Sequence, residues 1–162
     1  KYDYNARLAA GTLPRVEIIT TELDGKDMPK LYKAADAFVL ATRGEGWGLP
    51  IEEAMLMGLP TIATNWSGCT MLVDPITSYP LKIDKVERVE YNSLPNLRGG
   101  DEKWAKPSIK HLTQLMLEVF KSRDKAKQKG QLARQKIIKQ YSQEVVSQII
   151  LQRLKEIKKQ WN

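Results

Sequence analysis

A chain of 162 residues has room for about one domain with a sizeable core, and 42% apolar against 28% charged residues exclude a disordered polypeptide. A single cysteine, Cys69, and a single histidine, His111, exclude an internal disulfide framework and a closed zinc site of the usual kind, and no apolar run approaches the roughly 18 residues of a membrane span. The formal charge of +7 is lopsided: residues 1–100 carry 11 Lys and Arg against 13 Asp and Glu, whereas residues 101–162 carry 15 against 6.

In chain order, residues 3–10 read as a helix capped by Asp3 and stopped by Gly11 and Pro14. The β-branched run Val16-Glu17-Ile18-Ile19-Thr20 predicts a strand, and Asp24 to Asp27 a polar turn. Met28, Leu31, Tyr32 and Ala35 recur at helical spacing, giving a short helix over 28–35. Ala37 to Ala41 is continuously apolar, as in a strand buried on both faces. A glycine-rich loop, 44–48, leads into a helix over 50–57 that starts at Pro50 and stops at Gly58. A strand over 60–63, a loop over 64–68, a helical stretch over 69–73 and a strand over 79–83 follow; residues 84–106 read as loop, and 107–121, 124–139 and 142–160 as helices. Strand alternating with helix predicts an α/β fold, a Rossmann-like parallel sheet flanked by helices with a helical tail from residue 107 onward.

The chemistry is concentrated between Arg43 and Met55. Glu45 falls in the loop and Glu53 at the end of the first helical turn, with Gly46, Gly48 and Pro50 between them. The two glutamates converge only if the loop folds back over the helix start, which the glycines permit. The free N–H groups of such a loop and helix end favour a phosphate, and an ionised carboxylate beside them accepts hydrogen bonds from sugar hydroxyls. Phosphate and sugar side by side describe a nucleotide sugar.

Three blocks, Leu31 to Leu40, Glu45 to Met55 and Gly58 to Ala63, resemble in order and spacing the C-terminal, donor-binding domain of retaining glycosyltransferases of the GT-B fold, family four (group 1). Asn65-Trp66-Ser67-Gly68, Tyr79-Pro80-Leu81 and Trp104 to Ser108 look like a subgroup of that family, so the resemblance covers residues 15–120. It implies a catalytic Glu45 against the donor-sugar hydroxyls and Glu53 on the ribose. Backbone amides around Gly46, Trp47 and Gly48 would face the sugar, those of Leu49 and the helix start the diphosphate, and the base would rest near the end of the 16–20 strand. The full enzyme would move a hexose from a nucleoside-diphosphate sugar to an acceptor hydroxyl with retention of configuration, using neither metal nor cofactor, and the chain has no Asp-any-Asp metal motif.

Three departures qualify the match. An Arg and a Lys that the family directs at the diphosphate would precede Lys1, together with the first strand or two, so residues 1–162 are expected to be one donor domain truncated at its N-terminus. The acceptor domain is also expected to lie outside the chain, which alone should be inactive. The loop after Gly68 continues with Cys69, Thr70 and Met71, where the family more often has Gly and then Glu.

Plainer roles compete at each position. Glu45 has a cap or a pair with Arg43 as its alternative, Glu52 a solvated first-turn charge, and Trp47 loop packing. His111 reads as a surface or packing residue and Cys69 as a small loop residue without an activating partner. Met55, Met57, Met71, Leu112, Leu115 and Met116 read as core or interdomain packing, and Trp66 and Trp104 stay open between ligand and core. Basic residues alternate with apolar ones through the tail, which describes a solvated helix face, with contact to an acidic membrane surface or another domain as the alternative. Nucleic acid is disfavoured for want of a stacking platform. The expected setting is cytoplasmic with membrane association through the tail, and the rival function is a non-catalytic nucleotide- or sugar-binding module.

Overall fold

The computed structural model describes residues 9–11, 13–89 and 101–161. Its elements are α1 (Met28–Lys33), β1 (Phe38–Leu40), α2 (Leu49–Leu56), β2 (Thr61–Thr64), a 3-10 turn (Ser67–Met71), β3 (Tyr79–Leu81), β4 (Ile83–Arg88), β5 (Lys103–Pro107), α3 (Ile109–Lys121), α4 (Arg123–Tyr141) and α5 (Gln143–Gln160). β1, β2 and β3 form a parallel sheet in that order, with Phe38 opposite Thr61 and Ile62 opposite Tyr79. Parallel neighbours require crossovers, and α2 supplies the one between β1 and β2.

Alternation along β2 assigns the two faces. Ile62 packs with Tyr79, Leu81 and the α3 residues Leu115 and Val119, whereas Ala63 joins Ile51 and Met55 of α2 and Ala133 and Ile137 of α4. All four residues of β2 are buried, so β2 is the doubly covered strand. The same state was expected of residues 37–41, but β1 has a single strand neighbour among the described residues and Val39 is 38% exposed. The α/β reading itself holds, a parallel sheet flanked by helices with a helical tail.

α4 binds to the sheet layer by close backbone approach. A Cβ on Gly130 would stand 2.1 Å from the carbonyl oxygen of Gly58, at the turn into β2. Its cations then serve as caps: Lys129 donates to Ser78 O at 3.0 Å and also to Pro75 O, Arg134 to Leu56 O, and Lys136 to Leu72 O at 2.7 Å and Asp74 Oδ2 at 2.8 Å. This corrects the expectation of a merely solvated basic face, because these three charges satisfy carbonyls at helix and loop ends. By contrast α5 begins at the cap Ser142 and has no buried residue. No helix among the described residues is long and apolar enough to cross a membrane.

Other expectations fail for identifiable reasons. Residues 16–20 form no strand, and Val16, Ile18 and Ile19 are 55%, 80% and 57% exposed; β propensity expresses itself only against cross-strand neighbours. Within the expected loop 84–106, β4 and β5 pair antiparallel, Val86 opposite Ala105 and Glu87 opposite Trp104. Charged residues dominate this ribbon and only Ala105 is buried, which erases the apolar alternation that would have announced it. The strand expected over 79–83 divides at Lys82, and α3 starts at Ile109 rather than Pro107, capped by Ser108. Met71 and Met116 are 60% and 50% exposed, so of the core and interdomain roles expected of them the core role fails. The expected helix 3–10 lies, except for its last two residues, outside the described residues.

Candidate functional site

The loop between β1 and α2 opens at the carboxyl end of the parallel strands, where open α/β sheets bind ligands. Its shape rests on Gly48, whose φ of +96° is left-handed and whose carbonyl accepts from Ile51 N at 2.8 Å and Glu52 N at 3.1 Å to begin the helix. No side chain caps α2, Pro50 sits in its first turn, and the amides of Gly46, Trp47, Gly48 and Leu49 have no hydrogen-bond partner among the described residues. Buried but unpaired hydroxyls lie at the same end of the sheet: Thr42 Oγ1 after β1 and Thr64 Oγ1 at the end of β2.

A second loop holds the first in place. Glu45 O accepts from Gly68 N at 3.0 Å and Ser67 Oγ at 2.9 Å, and a Cβ on Gly68 would stand 2.0 Å from Gly46 O. Gly68 is therefore a glycine by contact, and the block Asn65 to Gly68 acts as a brace under the loop. Cys69 behind it is buried, and burial, then the nearby charge of Glu45, push its thiol upward, which makes it a poor nucleophile.

The predicted residues are not all brought to one point. Backbone contacts fix Glu45, which is half-buried and makes no ion pair with Arg43 among the described residues. Arg43 instead pairs with Glu87 at 3.0 Å, lies 4.6 Å from the centroid of the Trp104 ring, and accepts from Ala105 N through its carbonyl at 2.8 Å. The ribbon β4–β5 is thereby tied to the site loop. Lys85 at 3.0 Å and Arg43 both hold the Glu87 carboxyl below its ordinary range, Lys85 more strongly.

Trp47 is a packing residue: its ring meets Tyr141 edge-on at 5.2 Å, and Nε1 donates to Glu52 Oε2 at 2.5 Å. Glu52, expected to be a solvated charge, therefore clamps the loop to the helix. Glu53 accepts from the Tyr32 hydroxyl at 2.7 Å. Leu49 is 64% exposed and presents its backbone at the helix start. His111 accepts from Lys82 N at 3.2 Å, a structural role.

Sequence reasoning missed Tyr32 and Glu87 as supports of this region. Tyr32 alone carried a signal, as the one polar-tipped residue on the apolar side of α1.

Comparison with known proteins bears on the family and the fold of the chain. The sequence profile described as glycosyl transferases group 1 matches residues 2–86. Mannosylfructose-phosphate synthase from Agrobacterium fabrum is 46% identical over 43 residues, 26% of this chain and 10% of that protein. O-antigen chain mannosyltransferase B from Escherichia coli is 36% identical over 81 residues, 49% of this chain and 20% of that protein. The matched stretches thus span a fifth or less of these curated relatives. Among solved structures, the C-terminal domain of a glycosyl transferase group 1 family protein (LpcC) from Francisella tularensis superposes with a TM-score of 0.62 at 20% identity, over 85% of this chain and 60% of that one. The GtfA/B complex gives 0.58 at 22% identity, over 81% and 23%. Fold and sequence together place the chain in the glycosyl transferases group 1 family, to which it belongs.

Proposed function

We propose that the chain is the donor-binding part of a retaining hexosyltransferase that uses a nucleoside-diphosphate sugar. The observation that carries this reading is the row of unpartnered amides from Gly46 to Leu49 at the uncapped start of α2, with Glu53 on the same helix. Those donors and the helix dipole suit a diphosphate. Glu53 accepts from the ribose hydroxyls, and Glu45 lies against the donor sugar.

Catalysis then consists of holding the departing diphosphate with fixed donors and placing an acceptor hydroxyl near the anomeric carbon, so the work is electrostatic and positional. No metal or cofactor takes part in this scheme. A further, N-terminal domain of the same protein holds the acceptor. The tail supplies contact with an acidic membrane surface: α5 carries Arg153, Lys155, Lys158 and Lys159 beside exposed Ile149, Ile150 and Leu154.

Titration calorimetry with UDP, GDP, ADP and their sugar conjugates, on the chain and on Glu53→Ala, tests the donor reading. One base is expected to bind at millimolar concentration or better and to lose affinity in the variant. Binding that ignores Glu53→Ala would overturn it, and binding of the sugar conjugates with none of the nucleotides alone would favour a sugar-binding module.

A further inference from the structure

Tyr32 belongs to α1, outside the loop that forms the candidate site. Its ring is 7% exposed, set among Ala54, Leu59 and Phe38, the last at 5.9 Å between centroids. From that socket the hydroxyl donates to Glu53 Oε2 at 2.7 Å, a charge-assisted bond from a side chain with little freedom to move. Burial, then Glu53, push the hydroxyl far above its ordinary value, so it remains a donor at every physiological pH. Glu53 itself is exposed, and Oε1 has no partner among the described residues. One carboxylate oxygen is occupied by the protein and the other is open.

We propose that Tyr32 is a positioning residue of the donor site, its hydroxyl fixing Glu53 in the orientation that leaves one oxygen for the ribose diol. The proposal rests on Glu53 as the ribose acceptor. A free glutamate at that position would lose side-chain freedom on binding, a cost that the bond to Tyr32 meets during folding. A purely structural strap between α1 and α2 would show the same bond but would be indifferent to the ribose hydroxyls.

A thermodynamic cycle separates the two. UDP, GDP and ADP and their 2′,3′-dideoxy counterparts are titrated into the chain, Tyr32→Phe and Glu53→Ala, with thermal midpoints recorded. Tyr32→Phe should weaken the ribonucleotide about tenfold and leave the dideoxy analogue within about twofold. Equal weakening of both ligands, or of neither, would overturn the positioning role. Loss of ribose discrimination in Glu53→Ala but not in Tyr32→Phe would sink this proposal alone. If the parent chain does not distinguish the two ligands, or Glu53→Ala still does, the ribose role of Glu53 fails first and Tyr32 falls with it.

Discussion

α4 and α5 are both long, basic helices of 19 and 18 residues, yet they meet the rest of the molecule in opposite ways. α5 has the more aliphatic sequence, with Val145, Val146, Ile149, Ile150, Leu151, Leu154 and Ile157, but none of its residues is buried. α4 has few large apolar residues and buries Ala126, Gly130, Ala133 and Ile137. Small side chains let the α4 backbone reach the turn before β2, and once it is there Lys129, Arg134 and Lys136 find carbonyls within reach. Close approach and terminal capping, rather than aliphatic content, decide which helix packs against the sheet layer.

The largest effect should come from breaking that approach. Gly130→Ala would favour an isolated helix by about 1 kcal/mol, but its Cβ collides with Gly58 O. We expect the domain to lose about 2–3 kcal/mol instead, read as a fall in the denaturation midpoint; a gain in stability would mean that the contact is dispensable.

Next comes Gly68→Ala, which drives a Cβ into Gly46 O. Displacing the site loop should weaken nucleotide binding about tenfold or more, a misplacement effect. Unchanged binding would show that the brace is not needed for the site.

A third test sharpens the role of the α4 cations. Burial, the largest single influence on Asp74, raises its carboxyl, but the Lys136 ammonium, the Thr77 hydroxyl and the amides of Thr77 and Ile76 together outweigh it and hold the group at about 2, against an ordinary 3.8. Because the folded value is depressed, the stabilisation is complete above the unfolded value and is lost as pH falls through 3.8 toward 2. Asp74 is a third exposed, so solvent screening reduces the contribution to about 1–2 kcal/mol. Asp74→Asn should lower stability at pH 7 by that amount and flatten the acid limb; an unchanged acid limb would contradict the pairing. Smallest of all, Leu154→Ser on α5, where the leucine is 56% exposed, should shift stability by no more than about 0.5 kcal/mol.

The same contrast explains what could be read in the sequence. β2, α2 and the glycine loop were legible because their glycines, prolines and apolar runs are local signals. Glu53 was singled out by the motif around it, whereas its bond from Tyr32 was not. Three features depend on partners distant in the chain: the β4–β5 ribbon tied down by Arg43, the brace from Gly68, and Tyr32 reaching Glu53 across 21 residues. No periodicity encodes such contacts. Residues 16–20 show the reverse case, strand composition without a strand.

Whether the loop before α2 holds a diphosphate can be read from backbone amide resonances followed during titration with the nucleoside diphosphate that binds and with the same nucleoside lacking phosphate. The amides of Gly46, Trp47, Gly48 and Leu49 should shift and gain protection with the diphosphate and stay in place with the nucleoside. Shifts confined to another part of the chain, or the same response to both ligands, would show that the diphosphate is not held at this loop.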